Sequence, residues 1–286
     1  MIATGRAEEA IPLIEESIRR DPRNPRIFWR YENLGHALFL VGRDEESIVW
    51  TKRALAANPN VYPRFRSVYN QRLAAAYARL GQLDEAHRAL AEANRIWPYF
   101  TVRGHAFGDF SSPARVAQNE RFRAALRLAG LRDHAEEDAD FGVAPDNTLH
   151  EDLAGLTPTT VPGAATIHTA ELKRFLAERK PVVIDLLYNG WRQSIPGAVG
   201  LHRAGSGGSF SDTPQDRLRV KMRQLTGGDP SKPIVTVGWN SERFDGRNLA
   251  LRLVALGYTN VHWYRGGREA WEVNGLPETD IDVQEW

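Results

Sequence analysis

Cysteine is absent from all 286 residues. That one absence excludes disulfides, cysteine-ligated zinc or iron–sulfur sites, and every mechanism that needs a thiolate. Long apolar runs are missing too: no uninterrupted stretch approaches the roughly 20 residues that a membrane-spanning helix needs. The first residues, Met1-Ile-Ala-Thr-Gly-Arg-Ala-Glu-Glu-Ala10, lack the basic segment and apolar run of a secretory signal. A cytoplasmic setting, with no membrane partner, is the resulting expectation. Nor is there an excess of charge of one sign. Lys and Arg total 37 and Asp and Glu 36, a formal net charge of +1, so the balance makes no case for nucleic acid or an anionic surface. The eight histidines show no i, i+4 pair, so neither a metal site nor a cofactor is expected.

What is present is an ordinary globular composition, 42% hydrophobic and 26% charged, in a chain long enough for two domains with separate cores. The first half repeats. Gly5, Gly42 and Gly81 each precede an acidic, helix-forming run: Arg6-Ala-Glu-Glu-Ala10, Arg43-Asp-Glu-Glu-Ser47 and Gln82-Leu-Asp-Glu-Ala86. The runs end at Pro22, Pro59 and Pro98, and both the glycines and the prolines are spaced by 37 and 39 residues. Small residues at Ala10, Ser47 and Ala86 recur seven positions later as Ser17, Ala54 and Ala93, a face that lets two helices approach closely. Asn33–Leu40 and Arg72–Leu80 supply the preceding apolar helices.

This pattern resembles the tetratricopeptide repeat (TPR), a helix-turn-helix unit of about 34 residues, with the small extra length in turns such as Asn58–Pro63. The first unit has only its second helix, which raises the expectation that the chain is a fragment of something longer or uses an alternative start. Residues 112–130, with Ala117, Phe122, Leu126 and Leu128, read as one more amphipathic helix that caps the array. Residues 1–130 are thus expected as an all-α repeat domain. Arg132–Asp140 is highly charged, and Leu156–Gly163 is rich in Pro, Thr and Gly; residues 131–163 therefore read as a solvated linker.

Past residue 164 the period changes to alternating strand and helix. A helix is predicted from a Thr169 cap to about Glu178, and a buried strand at Pro181–Leu186. Thr213, Pro214 and Asp216 start a helix that Gly227-Gly228 stops. Strand Ile234–Val237, helix Asn248–Leu256, strand Asn260–Tyr264 and a helix around Trp271 complete a parallel α/β sheet.

Several separated motifs in this half are similar to those of a rhodanese-like domain: Val183-Ile-Asp185, Ser194-Ile-Pro-Gly-Ala198, the loop after Ile234–Val237, Gly257-Tyr-Thr-Asn-Val261, Tyr264-Arg-Gly-Gly267, Ala270-Trp271 and Gly275-Leu-Pro277. The run Gly257–Tyr264 looks closest to the subgroup found near quinoprotein systems, whose loop carries two cysteines and a tryptophan. The resemblance implies a nucleophilic cysteine after the strand, cradled by backbone N–H groups. Glycine stands there, at Gly238, and Arg243 falls where the family's loop-closing arginine often lies. The arginine usual after the strand aspartate is missing, with Leu186 and Leu187 near Asp185, and the histidine before Ile-Pro-Gly is Ser194. Asp185 and Pro196 then keep structural roles.

The loop Gly238-Trp239-Asn240-Ser241-Glu242-Arg243 is the candidate binding site. One reading has it hold a small anion through Arg243, with Trp239 stacked on a ligand or buried as core, the latter favoured. Ser241 lies near the carboxylates of Glu242 and Asp245 but has no histidine close in sequence; satisfying loop amides together with Asn240 is a simpler role for it than nucleophile. His262 is expected as a packed or solvent-facing residue.

Repeat arrays of the TPR kind bind peptides or neighbouring domains on a concave face. The N-terminal half also resembles arrays found downstream of class III adenylate or guanylate cyclase domains in bacteria, including Phe122–Leu131. The combination implies a non-enzymatic interaction and regulatory protein. Two alternatives stand beside it: an enzyme with an unrecognised nucleophile, sulfurtransferase-like or using Ser241, and the regulatory tail of a larger bacterial signalling enzyme.

Overall fold

A computed structural model describes residues 1–105, 112–186 and 193–286. The chain forms two compact units, Met1–Asp133 and His134–Trp286.

The first unit is helical. A short 3-10 turn at Ile2–Thr4 leads into α1 (Ala7–Arg20), α2 (Ile27–Leu40), α3 (Asp44–Ala57), α4 (Pro63–Arg79), α5 (Leu83–Ile96) and α6 (Pro113–Leu128). Helices α2/α3 and α4/α5 pack as hairpins. Both hairpins turn at a left-handed glycine, Gly42 (φ 87°) and Gly81 (φ 73°). In each turn the next residue donates back across it, Arg43 N to Leu38 O and Gln82 N to Tyr77 O, both at 2.9 Å, which satisfies the helix-end carbonyls. The small-residue face does what its spacing implies: Ala10, Ser47, Ala54, Ala86 and Ala93 are all buried. Gly35 marks the closest approach of α2 and α3, because a Cβ there would sit 2.6 Å from Thr51 Oγ1.

Helix α6 follows the two hairpins. It lies against α4 and the N-terminal turn, with Phe122 edge-on to Phe39 at 5.1 Å and Gln118 donating to the Gly5 carbonyl at 3.2 Å. Phe39 and Leu40 at the end of α2 thus meet α6, and the face shared by α2 and α4 is covered by this chain's own helix.

The second unit is α/β. Its elements are β1 (Ala165–Ile167), α7 (Thr169–Arg179), β2 (Val182–Asp185), β3 (Gln193–Ser194), β4 (Val199–Gly200), α8 (Thr213–Thr226), β5 (Ile234–Val237), α9 (Asp245–Ala255), β6 (Val261–Tyr264), α10 (Gly267–Val273), β7 (Thr279–Asp280) and β8 (Asp282–Val283). The main sheet runs β1-β6-β5-β2-β4-β8 with every pair parallel, and β3 and β7 form a separate antiparallel pair. Alternation along β2 sends Ile184 to one core and Val183 to the other, so the strand is buried on both faces, as a parallel sheet requires. From β2 the chain adds β4 on one side and β5 on the other. The carboxyl ends of β2 and β5 are therefore a topological switch point, where open α/β sheets place their sites. Helix α7 begins one residue from the Thr169 cap read from the sequence, with His168 as its cap residue; α8 is capped by Asp212 and stopped at Gly227 (φ 67°).

Residues 131–163 are not a solvated linker. Leu131–Asp133 close the helical unit, where Arg132 O accepts from Val102 N at 3.0 Å. Residues 134–163 belong to the second unit and lie across its switch point.

Candidate functional site

Strand β5 ends at Val237, and its next residue is Gly238. A Cβ built on Gly238 would overlap Oδ1 of Asp245. That carboxylate accepts from Gly246 N at 2.9 Å and from Arg243 Nε at 3.1 Å, and its side chain is 6% exposed. The space that a residue-238 side chain needs is therefore filled by an internal anion, held at the N-terminus of α9 where the helix dipole favours negative charge. Two further glycines let the backbones close in. A Cβ on Gly246 would lie 2.9 Å from Gly238 N, and one on Gly267 (φ 60°) would lie 2.6 Å from the Gly238 and Trp239 carbonyls. Those carbonyls accept from α10: Arg268 N to Gly238 O at 3.1 Å, and Glu269 N to Trp239 O at 2.9 Å.

The rest of the loop is tied to the segment from residue 134 to 158. Asn240 Nδ2 donates to Glu269 Oε2 at 2.8 Å, and Ala135 N donates to the same oxygen. Ser241 Oγ donates to Glu136 O at 2.7 Å. Glu242 O accepts from Gly155 N, and Phe244 N donates to Leu153 O at 2.8 Å. Arg265, fully buried, reaches the Glu137, Ala139 and Pro158 carbonyls, and burial holds its guanidinium pKa below the usual value. Arg247 bonds Asp146 and the Thr148 carbonyl, while Asn248 and His150 exchange two hydrogen bonds. The segment is a strap, and the loop beneath it is buried.

Each residue singled out from the sequence now has a place. Trp239 is 8% exposed, so core is the role it plays. Arg243 donates from Nε to Asp245 Oδ2 at 3.1 Å, and its side chain is 16% exposed. Asn240 does satisfy a loop amide, accepting from Glu242 N at 3.0 Å. Ser241 does not: its hydroxyl proton goes to a strap carbonyl, an arrangement that leaves it unactivated. His262 packs on Phe175 at 4.4 Å and contacts Asn260 at 2.9 Å, with its pKa lowered by burial. Pro196 and Gly197 (φ 80°) form the corner of a turn closed by Ala198 N to Ile195 O at 3.0 Å. Leu187 lies outside the described residues.

Two features were not legible in the sequence. Asp185 receives a hydrogen bond from Ser194 Oγ and an ion pair from Arg268 Nε at 3.5 Å, so a guanidinium from α10 serves the strand aspartate. Arg268 directly follows the Tyr264–Gly267 motif, the one local signal for it. Second, Glu137, Asp138 and His168 bring metal-type donor atoms within 4.8 Å of one another. Both oxygens of Glu137 already cap α7, accepting from Thr169 N at 2.7 Å and Thr169 Oγ1 at 2.8 Å.

No curated protein matches this chain. Among solved structures, a thiosulfate sulfurtransferase from Pseudomonas aeruginosa aligns at 18% identity with a TM-score of 0.32, covering 43% of this chain and 22% of that one. The chain thus spans about a fifth of that protein. Residues 168–274 match the family model described as "Rhodanese-like domain", and the parallel α/β unit that holds them has the rhodanese fold.

Proposed function

We propose that this chain is a non-catalytic interaction protein, in which a helical-repeat scaffold of the TPR type is joined to a rhodanese-like domain that has lost sulfur chemistry. Sulfur transfer by this fold needs a side-chain nucleophile at the end of β5, free to attack and to be attacked. The observation that carries the reading is the Asp245 carboxylate in the space beside Gly238. It replaces an exchangeable anion with a fixed one. Arg243 neutralises it, the strap covers the loop, and the absence of cysteine removes every alternative thiolate.

The repeat reading is supported by equivalent left-handed glycine turns after α2 and α4 and by the buried small-residue face. The helical unit then supplies the partner surface, for a protein or peptide. Thiosulfate-to-cyanide sulfur transfer by the purified chain tests the reading: the expected rate equals the protein-free background, and turnover above it overturns the proposal.

A further inference from the structure

The face that a repeat array would offer to a partner, formed by α2 and α4, is covered by α6, and its buried charges are paired, with Arg72 2.8 Å from Glu32. Among the described residues, a contiguous exposed aromatic patch of the helical unit lies at the helix ends. At the start of α2, the start of α4 and the end of α5, Trp29, Phe65, Tyr62 and Trp97 form a continuous run of rings. Successive centroids are 5.8, 6.3 and 6.4 Å apart. Trp29 is 39% exposed, Phe65 45% and Tyr62 56%. Isolated surface aromatics are ordinary, but a contiguous set is a feature of binding surfaces.

The surroundings are basic. The segments 21–30, 58–66 and 92–97 hold six arginines and two acidic residues. Both acids are already taken: Asp21 by Arg30 and Asn24, and Glu92 by Arg66 and Arg95. Arg26 and Arg23, three and six residues before Trp29, are exposed. In a β-extended chain residues two apart share a face and rise about 6.4–6.8 Å, close to the ring spacings of 5.8–6.4 Å.

We propose that this aromatic stripe docks an extended acidic peptide segment of a partner protein, alternate apolar side chains resting on successive rings and the intervening carboxylates meeting the arginines. Prolines suit the ring slots because an already extended chain loses little entropy on binding. The inference rests on the helical unit being a scaffold, and it names the face and the partner chemistry.

The test is fluorescence anisotropy of a labelled (Glu-Pro)6 peptide titrated with the full chain, beside (Lys-Pro)6. The acidic peptide is expected to bind and to weaken as salt rises. Trp29→Ala/Phe65→Ala and Arg23→Glu/Arg26→Glu are each expected to weaken it by about tenfold or more, with circular dichroism melts establishing that both variants are folded. Leu13→Ala, at an exposed position of α1, a helix that carries none of the four rings, is expected to bind as the parent does. Absence of binding, equal binding of the lysine peptide, or parent-like affinity in both double variants overturns the proposal. So does sedimentation showing a dimer that the aromatic variant abolishes, since a second copy would then occupy the stripe. Sulfur transfer measured on the same preparations reports separately on the non-catalytic reading.

Discussion

The carboxylate of Asp245 occupies the position that any side chain at Gly238 would need. These residues lie seven apart, on either side of a tight loop, and together they turn a potential reactive pocket into packed interior.

Introducing the missing nucleophile is therefore expected to fail by itself. Gly238→Cys should remain silent in sulfur transfer and lose about 1–3 kcal/mol of stability through overpacking. In an Asp245→Ser background the same Gly238→Cys change should cost less than it does in the parent, because the clash is gone, so the two losses should not add. Urea unfolding measures both; a single variant as stable as the parent would refute the steric argument.

Asp245→Ala is expected to cost about 3–5 kcal/mol, because it removes the carboxylate from a guanidinium in a mostly buried pair whose side chains are 16% and 6% exposed. Arg243→Met/Asp245→Ala should cost less than Asp245→Ala. A double variant less stable than that single one would mean the pair is not the unit that matters.

Two left-handed glycines make a controlled comparison. Gly42 has open space around its Cβ position, whereas a Cβ on Gly267 would press on two carbonyls at 2.6 Å. Gly42→Ala should cost about 1 kcal/mol for its backbone conformation alone. Gly267→Ala should cost more, by chemical denaturation, since a clash with backbone is added to the same conformational penalty.

Asp212 predicts a pH dependence. The hydrogen bonds from Arg252, and then those from Gln215 N and Ser209 N, hold its carboxyl down to about 2 against the opposing effect of burial. A depressed folded pKa stabilises the protein above the unfolded value near 4, and that contribution, about 2 kcal/mol, fades as pH falls towards 2. Asp212→Asn should therefore be less stable than the parent at pH 7, and the gap should narrow at pH 3. A gap independent of pH would rule out this origin.

Arg265→Ala should loosen the strap, since one buried guanidinium bridges carbonyls at Glu137, Ala139 and Pro158. Losing those charge-assisted bonds is expected to cost about 2–3 kcal/mol or more. Amide exchange at Gly155 and Phe244 should accelerate, as both amides span strap and loop. Unchanged protection there would show that the strap is held by other contacts.

Much of the architecture was legible because it is periodic. The glycine and proline spacings predict the hairpins, and the turns form at Gly42 and Gly81. The change to alternating strand and helix predicts the parallel sheet. Residues 131–163 misled because charged and Pro/Thr/Gly-rich composition is the signature of solvated chain, while their backbone groups are satisfied by side chains far away in sequence. Ser241 and Glu136 are 105 residues apart, and no window on the sequence contains both. The strand pattern predicts a loop directly after Val237, and β5 ends there; that Arg243 meets an internal carboxylate depends on how that loop folds back on Asp245, which no period in the sequence records.

Composition settled the chemistry that is excluded: without sulfur nucleophiles there is no thiolate, whatever the fold. Local pattern settled the elements, because helix and strand periods are written in neighbouring residues. Which groups meet at the end of β5 was left to folding. Asp245 against Gly238, Arg268 on Asp185 and the strap over the loop all arise from burying polar groups that must find partners in three dimensions, a requirement with no counterpart along the chain.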